Sequence, residues 1–337
     1  MKPQHKTHTA VKNALLPGAL LASAMLAAPL YPLQALAQNY PNKAVRLIVA
    51  QSAGSATDVA ARVIATPLSA LLKQQVVVDN RAGAGGLLGT EIAAKAPPDG
   101  YTLIFANIST HGVNPALYRR LPYDAIRDFA PIGLATTTPN VLVVNASLPA
   151  KNTAEMITLV RNRPGQLNVA TPGSGSSQHL AVELFMTMAG GLKSQHVPYK
   201  GSGPAMTALI SGEASWMIPT LTLSLPHIRS GKIRALGVTS TTPHEDLPQV
   251  PTLAETLPGY EVLSWYGFAA PARTPAAIIN QLNKATATVL AMPETRKGLA
   301  GAGMGVQHSS PAQFGDFIRN EIEKWNKVAK GAGITLD

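Results

Sequence analysis

The sequence predicts an α/β protein of two lobes, each a mostly parallel sheet flanked by helices, with a ligand cleft between them. Three observations carry this. Short β-branched runs alternate with helical stretches from residue 44 onward, the pattern of successive strand–helix units. About 300 residues follow the N-terminal segment, too many for one ordinary core and about right for two. One construction also occurs twice, as "LIVAQSAGSATDVAARVI" and "LNVATPGSGSSQHLAVEL": an apolar strand, a turn of small residues, and a helix that opens on hydroxyls. In open α/β sheets ligands bind outside the carboxyl ends of the strands, so two lobes facing each other line a cleft with those two turns.

The elements follow in order. "AVRLIVA" (44–50) reads as a strand, and "TDVAARVIATPLSALLK" as a helix with Val59, Val63, Ile64, Leu68, Leu71 and Leu72 on its apolar face. "QVVVDN" is the next strand, "GLLGTEIAAKA" the next helix, and Pro97-Pro98-Asp99-Gly100 a turn. "YTLIFAN" closes the first set, followed by Ser109, Thr110 and His111. The second set begins near Asn140 with "NVLVVN", then the helix "NTAEMITLVRNRP", the strand "QLNVAT", the turn "PGSGSS" and the helix "QHLAVELFMTMAG". "SQHVPY", the turn "KGSGPA", the helix "MTALISG", "ASWMIPT" and "KIRALGVTS" complete it. Two helices form the tail, "AAIINQLNKATATVL" and "AQFGDFIRNEIEKWNKVAKGAG", with Pro275 and Pro311 as first-turn prolines. The expected division is lobe 1 at 38–138, lobe 2 at 139–261, and 262–337 packing back on lobe 1, with crossovers near 135–142 and 255–270.

The first 37 residues read as a secretory signal. Lys2, Lys6 and Lys12 precede an apolar run, and Ala35-Leu36-Ala37 is a small-x-small cleavage site. Pro17, Pro29 and Pro32 argue against a membrane anchor. No later segment has the ~18 consecutive apolar residues that span a bilayer. The chain has no cysteine, which removes thiolate metal sites, redox pairs and a Cys nucleophile. Its net charge of +10 falls when the three signal lysines leave, with 25 basic residues then facing 18 acidic. That excess is scattered and aromatics are only 5%, so a nucleic-acid surface has no basic stripe and no stacking rings. A mild positive field suits small anions.

The two turns place backbone N–H groups at helix N-termini, where the partial positive charge favours an anion. The competing reading is that Thr57 or Asp58, and Ser176 or Ser177, cap their own helices; two matched turns favour binding. Neither turn is G-x-G-x-x-G, since Gln178 stands where the last glycine should fall, and no Walker-type loop exists. "NRAGAGGLLG" also lacks the fingerprint, and its glycines are read as permitting close turns. A nucleophile elbow G-x-S-x-G is absent, and His179 follows Ser176 too closely to serve as its base without help from the fold. His111, His179, His196, His227, His244 and His308 show no metal-binding spacing, so neither metal nor cofactor is expected. Asp58 is the only acid near the first turn, while Asn107 and Asn140 add donors. A cleft rich in donors and poor in acids wants an anion.

The ordered set "YPNKAVRLIVAQSAGSATDVAARVIATPLS", "VVVDNRAGAGGLLGTEIAAKAPPDGYTLIFANISTHGVNPALYRRLPYD", "DFAPIGL", "PGQLNVATPGSGSSQHLAVELF", "HVPYKGSGPAMTALISG" and "LPHIRSGKIRALGVTS" resembles the Bug family of extracytoplasmic receptors of tripartite tricarboxylate transporters. The resemblance implies a type II-like periplasmic binding protein, monomeric, that closes on a small organic acid and delivers it to membrane permease subunits. It implies no enzymatic activity and no nucleic-acid partner. It points to Ser52, Ala53, Gly54, Ser55, Ala56, Thr57 and Asp58, to Asn107, Ser109 and Thr110, and to Ser174, Gly175, Ser176 and Ser177 with His179 nearby. The family's first turn often reads "FPPGGGTD", so Gln51, Ser52 and Ser55 are polar departures. Amino-acid-binding members often carry an Asp after the strand matching "WMIPT"; here Pro219 and Thr220 stand there, which argues against an α-amino ligand. The ligand is expected to be a di- or tricarboxylate or an aromatic carboxylate. Trp216 and Tyr266 are read as core residues, with an aromatic-ligand wall as the alternative. Two other functions compete: a sensor of the same fold that signals to a membrane protein, and a secreted Ser hydrolase.

Overall fold

The strand β1 (Val45–Val49) is almost wholly buried, and its β-branched and leucine side chains fill both faces of a sheet. It leads into α1 (Ala56–Leu72), β2 (Val76–Asn80), α2 (Leu87–Ala94) and β3 (Thr102–Asn107). β1 lies between β2 and β3 with all three parallel, Leu47 facing Val78 on one side and Leu103 on the other. This much is the expected strand–helix alternation. The computed structural model describes residues 40–333, 335 and 336; the expected signal segment, residues 1–37, lies outside them.

After a short π-turn over Ser109–Val113 and the one-turn helix α3 (Asn114–Leu117), the chain enters β4 (Phe129–Pro139), which runs straight on into β5 (Val141–Asn145) of a second sheet. That sheet is built from α4 (Thr153–Asn162), β6 (Asn168–Thr171), α5 (Ser177–Met188), β7 (Gln195–Pro198), α6 (Ser202–Ser211), β8 (Trp216–Met217), α7 (Leu221–Arg229) and β9 (Ile233–Val238). The chain then returns along β10 (Leu263–Pro271), followed by α8 (Ala276–Ala291), α9 (Pro293–Gly301), β11 (Gly305–Val306) and α10 (Pro311–Ala332). The strand orders are β11-β4-β10-β3-β1-β2 and β7-β6-β8-β5-β9.

Both sheets are mixed. β6 pairs in parallel with β7 and β8, but β5 runs antiparallel to β8 and β9, and β10 antiparallel to β3 and β4. The reason lies in the crossings: a strand that enters the second sheet as β5 and another that leaves it for β10 pass between the sheets in opposite senses. The sequence predicts only crossover segments where β4 and β10 lie. Their register over Leu263↔Pro139 to Pro271↔Phe129 makes them the long antiparallel spine of the first sheet.

Pro311 stands at the first helical position of α10, where its missing N–H costs nothing, and Ser310 and Gln313 form a capping box around it. Pro275 instead precedes the first residue of α8 as its cap. Trp216 is fully buried, packs its ring 5.6 Å from Phe185, and donates its indole N–H to Ser194 Oγ at 3.1 Å. Trp216→Ala should therefore remove about 3–5 kcal/mol of stability, read as a fall in the urea midpoint.

Candidate functional site

α1 begins where Ser55 caps it: the Ser55 hydroxyl accepts the Asp58 N–H at 3.3 Å. The cap is thus Ser55 rather than Thr57 or Asp58, because the helix starts one residue before the expected Thr57. Asp58 turns away from the turn's mouth, taking the Gly54 N–H at 2.9 Å and Arg62 Nε at 2.9 Å. Burial opposes its charge, but the Arg62, Gly54 and Asn80 hydrogen bonds outweigh that and hold Asp58 below the usual carboxylate range. Its negative charge is committed to the turn's own framework.

α5 begins the same way. Ser176 accepts the His179 N–H at 3.2 Å and donates its hydroxyl to Gly173 O at 2.8 Å. His179 Nδ1 takes the Gly175 N–H at 3.2 Å, and its Nε2 lies 3.5 Å from Glu183 Oε1. Both ring nitrogens are engaged away from Ser174 and Ser176, so no activated Ser–His pair forms here.

Between the two helix N-termini lies a cavity of about 580 Å³. Gln51, Ser52, Ser55, Ala56, Thr57, Asn107, Ser109, Ser174, Ser176, Ser177 and Thr220 line it. Ala53, Gly54, Asp58, Thr110, Asn140, Gly175 and His179 do not. Ala53 and Gly54 face outward on the first turn. Thr110 is fully buried behind Asn107, whose main-chain N–H reaches Thr110 Oγ1 at 3.2 Å. Gly175 faces Tyr118 and Leu336.

Asn107 organises the first-lobe side. Its Oδ1 accepts the N–H groups of Ser109 (2.9 Å) and Thr110 (3.2 Å), and its Nδ2 donates to Gln51 Oε1 at 2.6 Å. One buried amide therefore ties the turn after β1 to the turn after β3. Across the cleft, Ser109 Oγ donates to Ser177 Oγ at 3.1 Å and accepts the Ser177 N–H at 3.2 Å. A Cβ on Gly201 would stand 3.2 Å from Ser52 Oγ, a second close approach between the sides.

Several wall residues were not nominated from sequence. The loop Ala82–Gly86 lines the cavity, where its glycines had been read only as turn-formers. Gly86 has φ +96°, and a Cβ there would meet Thr110 Cγ2 at 2.8 Å and Gln51 Nε2 at 3.0 Å, so only glycine fits. The turn Tyr199–Ser202 after β7 also lines it, and the signal for it was present: "KGSG" follows a strand end, as "AGSA" and "GSGS" do. Ser264, on β10, carries no sequence signal beyond being polar in an apolar strand; the sequence offers Tyr266, two residues on, as a wall residue only as the alternative to core packing. Tyr266 reaches the cavity while Trp216 does not.

Among the described residues that line the cavity none is acidic, and Lys200 alone is charged. The wall's polar groups are otherwise amides and hydroxyls, set among Ala50, Ala56, Ile108, Pro172 and several glycines, with Tyr266 held protonated because burial pushes its phenol well above the ordinary range. Among the described residues no cluster of histidine, aspartate and glutamate could hold a metal ion.

Behind α5, the His179 and His196 rings stack 4.1 Å apart at 8°. Burial, reinforced by the neighbouring His179 and opposed by Glu183, lowers His196 to about 4. Burial alone lowers His111 to about 3. In the unfolded chain both titrate near about 6.5, so the fold favours the neutral rings. The stability they contribute is present above that value and is lost as pH falls toward about 4 for His196 and about 3 for His111. The thermal midpoint should drop across that window, and His196→Gln should flatten part of the slope.

The family model described as the tripartite tricarboxylate transporter family receptor matches residues 60–334. BugT of Bordetella pertussis is 36% identical over 321 residues, 95% of this chain and 97% of BugT. R. palustris Rpa4515 with adipate has TM-score 0.85 and 38% identity, covering 88% of this chain and 99% of that one. MatC from Rhodopseudomonas palustris with bound malate has TM-score 0.81 and 33% identity, covering 86% and 99%. Together with the paired strand–turn–helix clamp, these matches show that the chain belongs to the tripartite tricarboxylate transporter receptor family, alongside the Bug proteins.

Proposed function

We propose that the protein captures one small organic acid in the periplasm, between lobes spanning 38–138 with 262–337 and 139–261, and presents it to the permease subunits of a tripartite transporter. Its N-terminal signal is removed near Ala37. The observation that carries the reading is the cavity wall: two helix N-termini, a run of amide and hydroxyl donors, Lys200, and no carboxylate. A helix N-terminus carries roughly half a positive charge, and donors fixed in place before binding spare the cost of ordering them. Gln51, Ser52, Ser55, Thr57, Asn107, Ser109, Ser174, Ser176, Ser177 and Thr220 are the proposed ligand donors. Adipate in Rpa4515 and malate in MatC are carboxylates of the proposed kind. The wall offers an ammonium group no acidic partner, which speaks against amino acids and amines.

The test is thermal shift and calorimetry against adipate, malate, citrate, benzoate, glutamate and cadaverine. At least one of the four non-amino acids should raise the midpoint and bind with a stoichiometry near one. Binding of cadaverine alone would sink the proposal.

A further inference from the structure

At the base of the cavity, where the sheets are joined, one side chain is poorly satisfied. Asn140 sits in the link between β4 and β5 and is fully buried. Its main chain is fastened on both sides: its N–H donates to Thr239 Oγ1 at 2.8 Å, its C=O accepts the Thr239 N–H at 2.9 Å, and it bridges Thr220. Its side-chain Oδ1 accepts the Ser264 hydroxyl at 3.0 Å, but its Nδ2 meets no acceptor. A buried orphan N–H is rarer and costlier than an under-used carbonyl. Ser264 in turn lines the cavity between Thr220 and Tyr266, whose phenol lies in reach of the Ser264 hydroxyl.

The geometry points to Ser264 as a ligand-donating residue whose hydroxyl hydrogen bond is freed for the ligand by a half-turn of the Asn140 amide. In the structure Ser264 O–H points to Asn140 Oδ1. With a carboxylate oxygen beside Ser264, the proton has a better acceptor, because hydrogen bonds to charged groups are the stronger ones. The amide then reverses, Asn140 Nδ2 donates to Ser264 Oγ, and Oδ1 is left as the idle group. The exchange converts an orphan donor into an orphan acceptor and adds one charge-assisted hydrogen bond. No bond other than hydrogen bonds changes. Asn140 is a positioning residue: it does not line the cavity, and it acts only through Ser264. The inference rests on the carboxylate reading above and adds Ser264 of β10, with Asn140 behind it, to that site.

Calorimetry of the wild type, Ser264→Ala, Asn140→Leu and the double variant against adipate, malate, citrate and benzoate tests it. Each single variant should weaken the best-bound acid roughly tenfold, and the double should lie within about twofold of Ser264→Ala alone, since both act through one donor. Independent structural damage would instead give additive losses, and that result, or full affinity in Ser264→Ala, overturns the inference while leaving the carboxylate reading intact. A wild type that binds none of the four acids overturns both. Should the variants fail to fold, the wild type still decides: on saturation the Asn140 side-chain amide protons should move downfield in the nitrogen-15 spectrum, and unmoved resonances refute the relay.

Discussion

Asn107→Asp should cost more than a hundredfold in ligand affinity while leaving the protein folded. Aspartate keeps the two acceptor bonds to the Ser109 and Thr110 N–H groups, so the turn after β3 retains its shape. What it loses is the donor to Gln51 Oε1, and what it gains is a carboxylate in the wall. Two like charges about 5 Å apart at an effective dielectric of about 20 repel by roughly 3 kcal/mol, a factor of over a hundred in affinity. The carboxylate would also face the Gln51 carbonyl oxygen until that amide reverses. The measurement is a titration at pH 7 with the acid the wild type binds best, alongside a melting curve to establish that the variant remains folded.

Lys200→Glu should have the second-largest effect, and through a different step. Lys200 lies exposed at the mouth of the cavity on the turn after β7, so its charge acts partly through solvent and is screened by salt. Reversal should lower affinity roughly tenfold to thirtyfold at low ionic strength, mostly as a slower association rate, and the loss should shrink by 0.5 M salt. A diacid should suffer more than a monoacid, because its second carboxylate meets the reversed charge. Stopped-flow fluorescence at two salt concentrations separates the rate effect from a change in the wall itself.

The periodicity of the sequence made most of the helices and many of the strands legible, because β1, β3, β5 and α1 each carry an apolar pattern whose spacing is local. Two kinds of information were not local. β4 and β10 owe their pairing to each other across more than a hundred residues, and nothing within "APIGLATTTP" announces a partner. The mixed pairing follows from them. For the site, the two turns announced themselves because small residues, hydroxyls and a helix start coincide, and the turns' own residues largely do line the cavity. Asp58 looked like a site residue because it belongs to the same string, yet its partners Gly54 and Arg62 turn it inward. Ser264 is the reverse case: it looks like a strand residue, and only the juxtaposition of β10 with β3 and β4 brings it to the wall.

The cleft recognises negative charge rather than shape alone. Titrating the protein with the best-bound acid of the panel and then with its uncharged amide, in the same buffer, tests that most directly. The donor-lined, acid-free wall predicts saturable binding of the acid and at least a hundredfold weaker binding of the amide, since the amide offers the helix N-termini no charge. Equal affinity for the two would contradict it.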